Sequence, residues 1–356
     1  MKPELKERIR QVSERLLSEA FLVTHLPNVR YLTGFTGSNA ALVLDGRNAT
    51  LLTDPRYNVQ AMQESACKVK IVKGNLIAAA AKLIAARQFK SVGFEQDHML
   101  FSSWSSLRGA AGRKVRLQPV SGLVETARMI KSPAEIELIR RSAEANSAAC
   151  ARAMRRLKPT TTEAELAAEI DHGMRRAGAE GPAFESIVAA GEHSALPHAR
   201  PRNEAIGSNR LLLMDTGAVR GGYCSDMTRM ACLGTPDRRS RDLFNAVLEA
   251  QLAALDAVKA GVATVAVDAT ARKVLRKHGC DKLFVHSTGH GLGLEIHEGP
   301  RVGRKDPTVL EAGMAITIEP GAYIEGFGGV RIEDTVVVTA SGCEVLTPHP
   351  KELLTI

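Results

Sequence analysis

The sequence predicts an α/β protein of two domains. Its 356 residues are more than one compact domain usually holds, so two hydrophobic cores are expected. Strand-like and helical segments alternate from Ala20 to about Gln118, which is typical of a small α/β domain. A helix start at Ser132 then opens a second region. We therefore predict domains at 1–125 and 126–356.

Capping signals locate the main helices. Ser132 and Glu135 form a capping box with proline at the first helical position, directly after a boundary near residues 120 to 131. Thr162 and Glu165 form a second capping box. An alanine-rich apolar run interrupted by lysine is also predicted to be helical. The predicted helices are residues 76 to 86, 133 to about 157, and 163 to about 178.

Composition and charge exclude several classes of function. The net charge is +8, but the basic residues form short pairs on predicted helices and only 4% of residues are aromatic, so nucleic-acid binding is not expected. The first residues are charged and lack an apolar signal segment, and no stretch reaches the roughly 18 apolar residues that cross a membrane. Six scattered cysteines without paired spacing favour reduced thiols in the cytoplasm.

The last third of the chain contains five possible metal ligands in three ordered clusters. An acid that ends or interrupts an apolar strand is costly to bury unless a cation compensates it. A lone aspartate beside a glycine turn is usually a turn residue, but five such residues in order make coincidence a poor explanation. The five residues are Asp215, Asp226, His290, Glu319 and Glu333.

The strands that carry the four acids follow from apolar runs and glycine turns. Residues 211–215 form a predicted buried strand, and a glycine turn returns the chain through a second strand near Asp226. Because side chains alternate along a strand, Glu319 should share a face with Thr317. The same parity places Arg331 and Glu333 together in what is predicted to begin the last strand.

The charge of this ligand set predicts the number of ions. Four carboxylates and one imidazole are too anionic for a single divalent ion, so two ions are expected. A ligand set dominated by oxygen suits Mn, Co, Fe or Zn in a two-metal hydrolase, which activates water and polarises a carbonyl. The sequence therefore predicts a dinuclear hydrolytic centre.

A glycine-rich segment holds three histidines, His286, His290 and His297. The spacing of the first two is compatible with a zinc-binding helix, but glycines at 289, 291 and 293 make a helix improbable. Glycine at these positions instead permits a close approach of the backbone to a site.

These segments resemble the Xaa-Pro aminopeptidase and prolidase family of pita-bread metallopeptidases. The similar segments are LLLMDTGAVRGGYCSDMTR, HSTGHGLGLEIHEGP, ITIEPG and GVRIEDT in the second half, and NVRYLTGF and LTDPRY in the first. The resemblance covers nearly the whole chain. It implies a small creatinase-type N-terminal α/β domain, followed by a pita-bread α/β domain with a curved, mostly antiparallel sheet.

The resemblance also implies a role for each ligand. Asp215 is expected to hold one ion, His290 and Glu319 the other, and Asp226 and Glu333 both. Mn²⁺ is the expected metal, with Co²⁺ or Zn²⁺ as alternatives.

Further site residues follow from the same resemblance. His198 lies in a segment similar to the PHxxP loop of the family, and with His297 it is expected to stabilise the substrate carbonyl. Glu319 is expected to shuttle the proton to the leaving nitrogen, and His286 to orient the substrate. Arg331 is expected to support the ligands rather than bind the substrate. Tyr223 and Arg229 are expected to support the ligands, and Arg301 is expected to contact a C-terminal carboxylate.

The leading functional prediction is an Xaa-Pro aminopeptidase, which removes the N-terminal residue from peptides with proline second. The alternatives are an Xaa-Pro dipeptidase (prolidase) or a non-enzymatic binding module on the same fold. Proline-containing peptides are the expected partners. The resemblance implies a homodimer, and the cysteine pattern predicts a cytoplasmic location.

Overall fold

The computed structural model describes residues 3–46, 48–112 and 114–356 and divides into two compact units, Met1–Arg128 and Met129–Ile356. In the described residues, no helix has the length and apolar character needed to cross a membrane. All six cysteines are free thiols, as the sequence predicts.

The first unit is an α/β domain around one mixed sheet, as the alternating pattern predicts. Its strand order is β4-β3-β2-β1-β5-β6. The helices are α1 (Pro3–Glu14), α2 (Leu26–Thr33), α3 (Asn58–Glu64), α4 (Leu76–Ala86), α5 (Phe101–Ala111) and α6 (Leu123–Met129), and a short 3₁₀ turn spans Pro55–Tyr57. The strands are β1 (Ala20–Val23), β2 (Ala40–Asp45), β3 (Asn48–Thr53), β4 (Lys68–Ile71), β5 (Ser91–Glu95) and β6 (Arg116–Val120).

Central strands of this sheet are apolar on both faces because helices cover them. All four residues of β1 are buried, and β1 pairs antiparallel with β2 and parallel with β5. The alanine-rich helix α4 has the bounds that the sequence predicts and packs its buried face against the sheet. The NVRYLTGF segment begins inside α2. Its first residue, the buried Asn28, donates a hydrogen bond from its side-chain amide to Glu95 at 2.7 Å.

The second unit contains four helices and four small sheets among its described residues. The helices are α7 (Pro133–Met154), α8 (Glu163–Arg176), α9 (Arg238–Ala257) and α10 (Thr264–Lys277), with short 3₁₀ turns at Gly191–Ala195 and Asp281–Leu283. The strands are β7 (Gly181–Pro182), β8 (Ile187–Ala190), β9 (Leu211–Thr216), β10 (Ala218–Arg220), β11 (Tyr223–Cys224), β12 (Met227–Cys232), β13 (Gly289–Gly291), β14 (Glu298–Val302), β15 (Ala315–Ile318), β16 (Gly321–Ile324), β17 (Gly328–Arg331), β18 (Asp334–Val338), β19 (Cys343–Val345) and β20 (Leu354–Thr355).

The sheets of this unit are antiparallel apart from one pair. The strand orders are β11-β10-β7, β20-β12-β9-β8, β14-β13-β15-β18-β19 and β16-β17, and only β12 and β20 run parallel. Helices α7 and α8 begin with the predicted capping boxes and share a core with β8, β9 and β12. Helices α9 and α10 pack against the five-stranded sheet.

The predicted strand pairing around Asp215 and Asp226 is confirmed, with one correction. Strands β9 and β12 pair antiparallel, but the residues between them form a second small hairpin, β10 and β11, in a different sheet. Asp226 therefore lies in the two-residue link between β11 and β12 rather than in a strand. The chain closes tightly here because Gly217 has no side chain, since a Cβ at this position would overlap the carbonyl oxygen of Ser225.

The prediction that the last strand begins near Val330 is wrong. Strand β17 ends at Arg331 and β18 begins at Asp334, so Ile332 and Glu333 link two sheets. The predicted parity is nevertheless confirmed, because Val330 and Ile332 share an apolar core while Arg331 and Glu333 turn away from it. A chain that passes between sheets needs a short irregular link, and apolar alternation alone does not reveal one.

Candidate metal centre

The second unit contains a cavity of about 730 Å³ that gathers most of the predicted site residues. Its wall includes three predicted ligands of acid type and all four predicted histidines. These residues are His198, Asp215, Asp226, His286, His290, His297 and Glu319. The fifth ligand, Glu333, is 1% exposed and lies behind the wall. A second groove, of about 760 Å³, adjoins the cavity at His286 and Arg301 but contains none of the predicted ligands.

Strand register places Asp215 beside a threonine of the neighbouring strand. Asp215 follows the apolar run of β9, and its register partner in β12 is Thr228. The Thr228 hydroxyl accepts a hydrogen bond from Arg331 Nε at 3.1 Å and donates one to Glu333 Oε2 at 2.7 Å. The β9–β12 pair therefore fixes Asp215 and orients Glu333.

A second threonine, Thr317, orients the Glu319 carboxylate by a hydrogen bond. Thr317 lies two residues before Glu319 on the same strand face, as the parity argument predicts. Its hydroxyl accepts from the backbone N–H of His290 at 3.1 Å and donates to Glu319 Oε1 at 3.3 Å. Strand β13, which carries His290, fits between β14 and β15 because it is glycine-rich: a Cβ at Gly289 would overlap the carbonyl oxygen of Thr317.

His290 presents an unprotonated ring nitrogen to the acids. Its Nδ1 lies 3.0 Å from the carbonyl oxygen of Gly291, which can only accept, so Nδ1 carries the proton. The Nε2 lone pair then faces Asp226 Oδ2 at 3.6 Å and Glu319 Oε1 at 3.4 Å. Burial lowers the pKa of His290, so the imidazole is neutral at pH 7. A neutral imidazole oriented through its second nitrogen is the usual form of a histidine metal ligand.

Three carboxylate oxygens of the cluster are buried without a donor in the described part of the chain. They are Asp215 Oδ1, Asp226 Oδ1 and Glu333 Oε1. Ligand atoms of Asp226, His290 and Glu333 all lie within 4.8 Å of one another. A buried, ionised oxygen without a donor or cation is strongly unfavourable, so such atoms mark a place where a cation compensates them.

Electrostatics of the acids agree with this pattern. Burial and the neighbouring carboxylates raise the pKa of Asp226 and of Glu333 well above their usual range. Burial also raises the pKa of Glu319 to about 7, although Arg331 opposes the shift. Without a cation, these groups can share the space only by taking up protons. The residues therefore fit divalent cations, which would replace those protons.

A hydrogen-bonded chain connects Asp215 to His286 through two further side chains. The Arg331 guanidinium contacts Asp215 Oδ2 at 2.5 Å and donates to the Tyr323 hydroxyl at 2.7 Å. Burial raises the pKa of Tyr323 to about 12, so its hydroxyl keeps its proton and donates to His286 Nε2 at 2.9 Å. His286 Nδ1 donates to the carbonyl oxygen of Ser287 at 2.8 Å. Arg331 thus supports the acids, as predicted.

This arrangement fixes His286 as a neutral residue. Both of its ring nitrogens are engaged, and burial lowers its pKa to about 4, with the positive charge of Arg331 acting in the same direction. It forms part of the cavity wall and does not exchange protons near pH 7.

Two histidines remain available to a ligand in the cavity. His198 and His297 are both exposed. The His297 ring packs edge-on against the His290 ring, with centroids 4.3 Å apart, and burial of part of the ring lowers the pKa of His297. His198 also lines the cavity and lies in the loop between β8 and β9.

The three remaining predicted residues, Tyr223, Arg229 and Arg301, differ in how near they lie to the ligands. Tyr223 is not among the residues that line the cavity, and its hydroxyl donates to Glu135 of helix α7 at 2.6 Å. Arg229 lies next to the centre, where it donates to Asp334 Oδ1 at 2.7 Å and contacts the carbonyl oxygen of Glu333. Arg301 lines the cavity and is exposed.

Sequence reasoning missed Tyr323 and an ion pair at the cavity wall. Lys131 Nζ lies 3.3 Å from Glu298 Oε2, and Lys131 and Glu298 have side chains that are 1% and 6% exposed. Tyr323 is eight residues from Arg331 and 37 from His286, and the local pattern of β16 gives no indication of those partners. Glu298 ends the glycine-rich segment, but nothing in that segment indicates a lysine 167 residues away in the sequence.

Two family models match consecutive parts of the chain. Residues 6–130 match the creatinase/prolidase N-terminal domain, and residues 137–340 match metallopeptidase family M24. Together they cover both units and agree with the predicted fold class, which is confirmed.

Individual relatives extend over the full chain. It is 35% identical to an Xaa-Pro dipeptidase of Pyrococcus furiosus, over 99% of this chain and all of the relative. A solved Xaa-Pro dipeptidase of Bacillus anthracis is 38% identical, with a TM-score of 0.95 and 99% of both chains covered. A solved X-Pro aminopeptidase of Thermotoga maritima is 36% identical, with a TM-score of 0.91 and coverage of 97% of this chain and 99% of the other.

Family, fold and site agree. Members of family M24 use divalent metal ions, and the acids and the neutral His290 are a donor set that fits them. The chain belongs to metallopeptidase family M24, in the pita-bread group of Xaa-Pro peptidases with a creatinase/prolidase N-terminal domain, and is a metallo-exopeptidase.

Proposed function

We propose that this chain is an Xaa-Pro dipeptidase, a prolidase that releases free proline. The observation that carries the proposal is the cavity whose wall brings together Asp215 and Asp226, each with a donor-free carboxylate oxygen, a neutral His290 and the exposed Arg301. Similarity to full-length Xaa-Pro dipeptidases favours this function over the aminopeptidase that the sequence analysis placed first. The aminopeptidase remains the second candidate, because one similar solved structure has that activity in its name.

The proposed metal ligands are those implied by the sequence. Asp215 would hold one divalent ion, His290 and Glu319 the other, and Asp226 and Glu333 both. Mn²⁺ is the proposed ion, with Co²⁺ or Zn²⁺ as alternatives, because oxygen donors dominate the set. When bound, the ions supply an activated water and polarise the scissile carbonyl.

The protein's own residues would manage the protons and the substrate. Hydrolysis breaks the bond between the Xaa carbonyl carbon and the proline nitrogen, adds the water oxygen to that carbon, and delivers a proton to the nitrogen. Glu319 would hold and transfer that proton at Oε1 or Oε2. His198 and His297 would donate hydrogen bonds to the carbonyl oxygen as negative charge develops on it. His286 would keep its fixed orientation and shape the wall.

Arg301 is the residue that we assign to the free carboxylate of a dipeptide. Three arginines of the cavity wall have different availability. Arg331 is buried and engaged by Asp215 and Tyr323, and Arg200 Nε lies 3.6 Å from Glu185 Oε2. Arg301 is exposed, and among the described residues its Nε contacts only the neutral Ser287 Oγ, at 3.2 Å. Because a dipeptide carries its carboxylate on the proline ring, a cation at the wall selects for it. Proline itself brings a nitrogen without a hydrogen, which the cavity need not bind.

Substitution of Arg301 tests this assignment. Arg301→Gln should raise KM for Ala-Pro by about tenfold or more, because a charge-assisted hydrogen bond contributes about 1.5–3 kcal/mol. Turnover of Ala-Pro-amide, which lacks the carboxylate, should change little. Arg304→Gln, in the adjoining groove, is the matched control and should behave as the unsubstituted protein. Equal loss on both substrates would remove Arg301 from carboxylate recognition and favour the aminopeptidase.

We also propose a cytoplasmic homodimer. The resemblance implies the dimer, and the free thiols are compatible with a reducing compartment. Light scattering at several protein concentrations measures the mass: about 76 kDa, twice the 38.2 kDa of one chain, supports the dimer, and one chain mass at all concentrations contradicts it.

A further inference from the structure

The loop that carries His198 has little regular structure of its own. Between the end of β8 at Ala190 and the start of β9 at Leu211, the described chain contains only the short 3₁₀ turn Gly191–Ala195. Residues 197–200 nevertheless form one wall of the cavity. A histidine can stabilise a reaction only when its loop is held in place, so its supports are of functional interest.

One buried carboxylate binds the chain on both sides of His198. Glu163, the first residue of α8, is 1% exposed. Its Oε1 accepts from the backbone N–H of Ala190 at 2.8 Å, where the loop begins. Its Oε2 accepts from the backbone N–H of Arg202 at 3.0 Å, where the loop has passed His198.

The same carboxylate also binds a side chain from the loop. His193 Nδ1 lies 2.8 Å from Glu163 Oε2 and 3.0 Å from Oε1, and the His193 side chain is 8% exposed. Backbone hydrogen bonds reinforce the contact, since Ala164 N–H donates to the carbonyl oxygen of Arg202 at 3.1 Å. The groups that contact the Glu163 carboxylate thus all lie within residues 190–202, which include His198.

A second set of contacts joins the loop to the metal-ligand strands. Ser194 Oγ accepts from the N–H of Gly329 in β17 at 2.8 Å. Arg331 Nη1 donates to the carbonyl oxygen of Pro197, the residue before His198, at 3.2 Å. The loop is therefore held from one side by helix α8 and from the other by the strand that leads to Glu333.

We propose that Glu163, with His193, is a positioning pair that sets the location of His198 relative to the metal ligands. Glu163 does not line the cavity and does not touch the substrate space. Its effect on the reaction passes through His198 and therefore rests on the proposed role of His198. The chain has a matched control in Glu165, an exposed glutamate of the same helical turn that caps Thr162 and does not contact the loop.

A double-mutant cycle separates this role from general stability. Glu163→Gln keeps the shape of the side chain but replaces one acceptor oxygen with an NH₂ group. It should lower kcat for Ala-Pro by about tenfold or more, with KM changed less than about twofold, because small displacements of a catalytic group are costly. In a His198→Ala background the same substitution should have little further effect. Glu165→Gln should leave kcat unchanged in both backgrounds.

Hydrogen exchange gives a readout that does not depend on turnover. Amides of residues 190–202 should exchange faster in Glu163→Gln and in His193→Phe than in the unsubstituted protein, whereas Glu165→Gln should have no effect there. Unchanged exchange in both Glu163→Gln and His193→Phe overturns the proposal, as does a fall in kcat of equal size with and without His198. If His198→Ala alone keeps full kcat, the catalytic role of His198 fails, and exchange still decides whether Glu163 holds the loop.

Discussion

At the scale of single residues, the candidate centre is defined by what each carboxylate lacks. Arg331 contacts one oxygen of Asp215, and Thr228 donates to one oxygen of Glu333. The second oxygen of each, and Oδ1 of Asp226, has no donor in the described residues. Neighbouring side chains thus orient Asp215 and Glu333 through one carboxylate oxygen. The other oxygen of each acid is left to bind a cation. Hydrogen bonds that orient ligands from behind are characteristic of metal sites.

Asp226→Asn tests this interpretation at one residue. The amide keeps the volume but loses the charge that both proposed ions share, so we expect at most one bound ion and a fall in kcat of about 10³-fold or more for Ala-Pro. The metal-free variant should unfold at the same or a higher temperature, because one of several repelling carboxylates is gone. Metal content by mass spectrometry and thermal unfolding measure both effects.

The control for that experiment is Asp242→Asn, an exposed aspartate on helix α9. It should bind metal as the unsubstituted protein does. Two bound ions together with unchanged kcat in Asp226→Asn would contradict the proposed ligand set.

At the scale of elements, glycine and threonine bring the ligand strands together. Strand β13 contributes His290 and pairs with both β14 and β15. That pairing needs the absence of a Cβ at Gly289, which would overlap the carbonyl oxygen of Thr317, and at Gly291, which would overlap that of Gly299. The position of His290 therefore depends on its two glycine neighbours as much as on its own contacts.

Gly289→Ala should damage this element. The added methyl group meets backbone rather than a flexible side chain, so β13 must move away from β15. We expect the free energy of unfolding to fall by about 3 kcal/mol and metal affinity to weaken. Gly342→Ala has open space and is the control, with a change within about 0.5 kcal/mol. Urea unfolding measures both, and equal stability of the two variants would contradict the steric account.

Strand ends and parity could be predicted from the sequence, and long-range partners could not. The sequence predicts Glu319 and Asp215 because each follows an apolar run, and alternation predicts the shared face of Arg331 and Glu333. The break between β17 and β18 was missed, since an apolar pattern continues across it. Glu163 was missed because its contacts with the loop depend on how α8 packs beside β8, and local sequence contains no such distance.

At the scale of the whole molecule, charge is distributed unevenly. Residues 1–128 contain 19 Lys and Arg against 10 Asp and Glu, and residues 129–356 contain 28 against 29, so the first unit accounts for the net charge of +8. The second unit concentrates acids in its core, where burial and repulsion raise their pKa values. Metal-free protein should therefore depend on pH in a way that metal-loaded protein does not.

The metal-free protein should become less stable as pH rises from 6.5 to 8. Glu319, with its pKa raised to about 7, holds a proton in the folded state that the unfolded chain has already released. Stability from such a raised pKa is present below the unfolded value and is lost as pH passes the folded one. Histidines with lowered pKa values, such as His286 at about 4, act in the opposite direction, but their effect fades as pH rises above their ordinary value of 6.5.

Urea unfolding of EDTA-treated protein measures this slope. Glu319 alone should account for a loss of about 1 kcal/mol across the window, with Asp226 and Glu333 acting in the same direction. Glu319→Gln should reduce the slope, and saturating Mn²⁺ should remove it. Stability of the metal-free protein that stays constant or rises from pH 6.5 to 8 would show that these acids are not buried together as described.

The most direct test of the central claim is proline release from Ala-Pro compared with alanine release from Ala-Pro-Gly-Gly by protein reconstituted with Mn²⁺. An Xaa-Pro dipeptidase should release proline from the dipeptide with a kcat/KM at least about 100-fold above that for the longer peptide, and EDTA should abolish the activity. Efficient cleavage of the longer peptide would instead establish the aminopeptidase. If neither peptide is cleaved while two ions are bound, the proposed function is wrong.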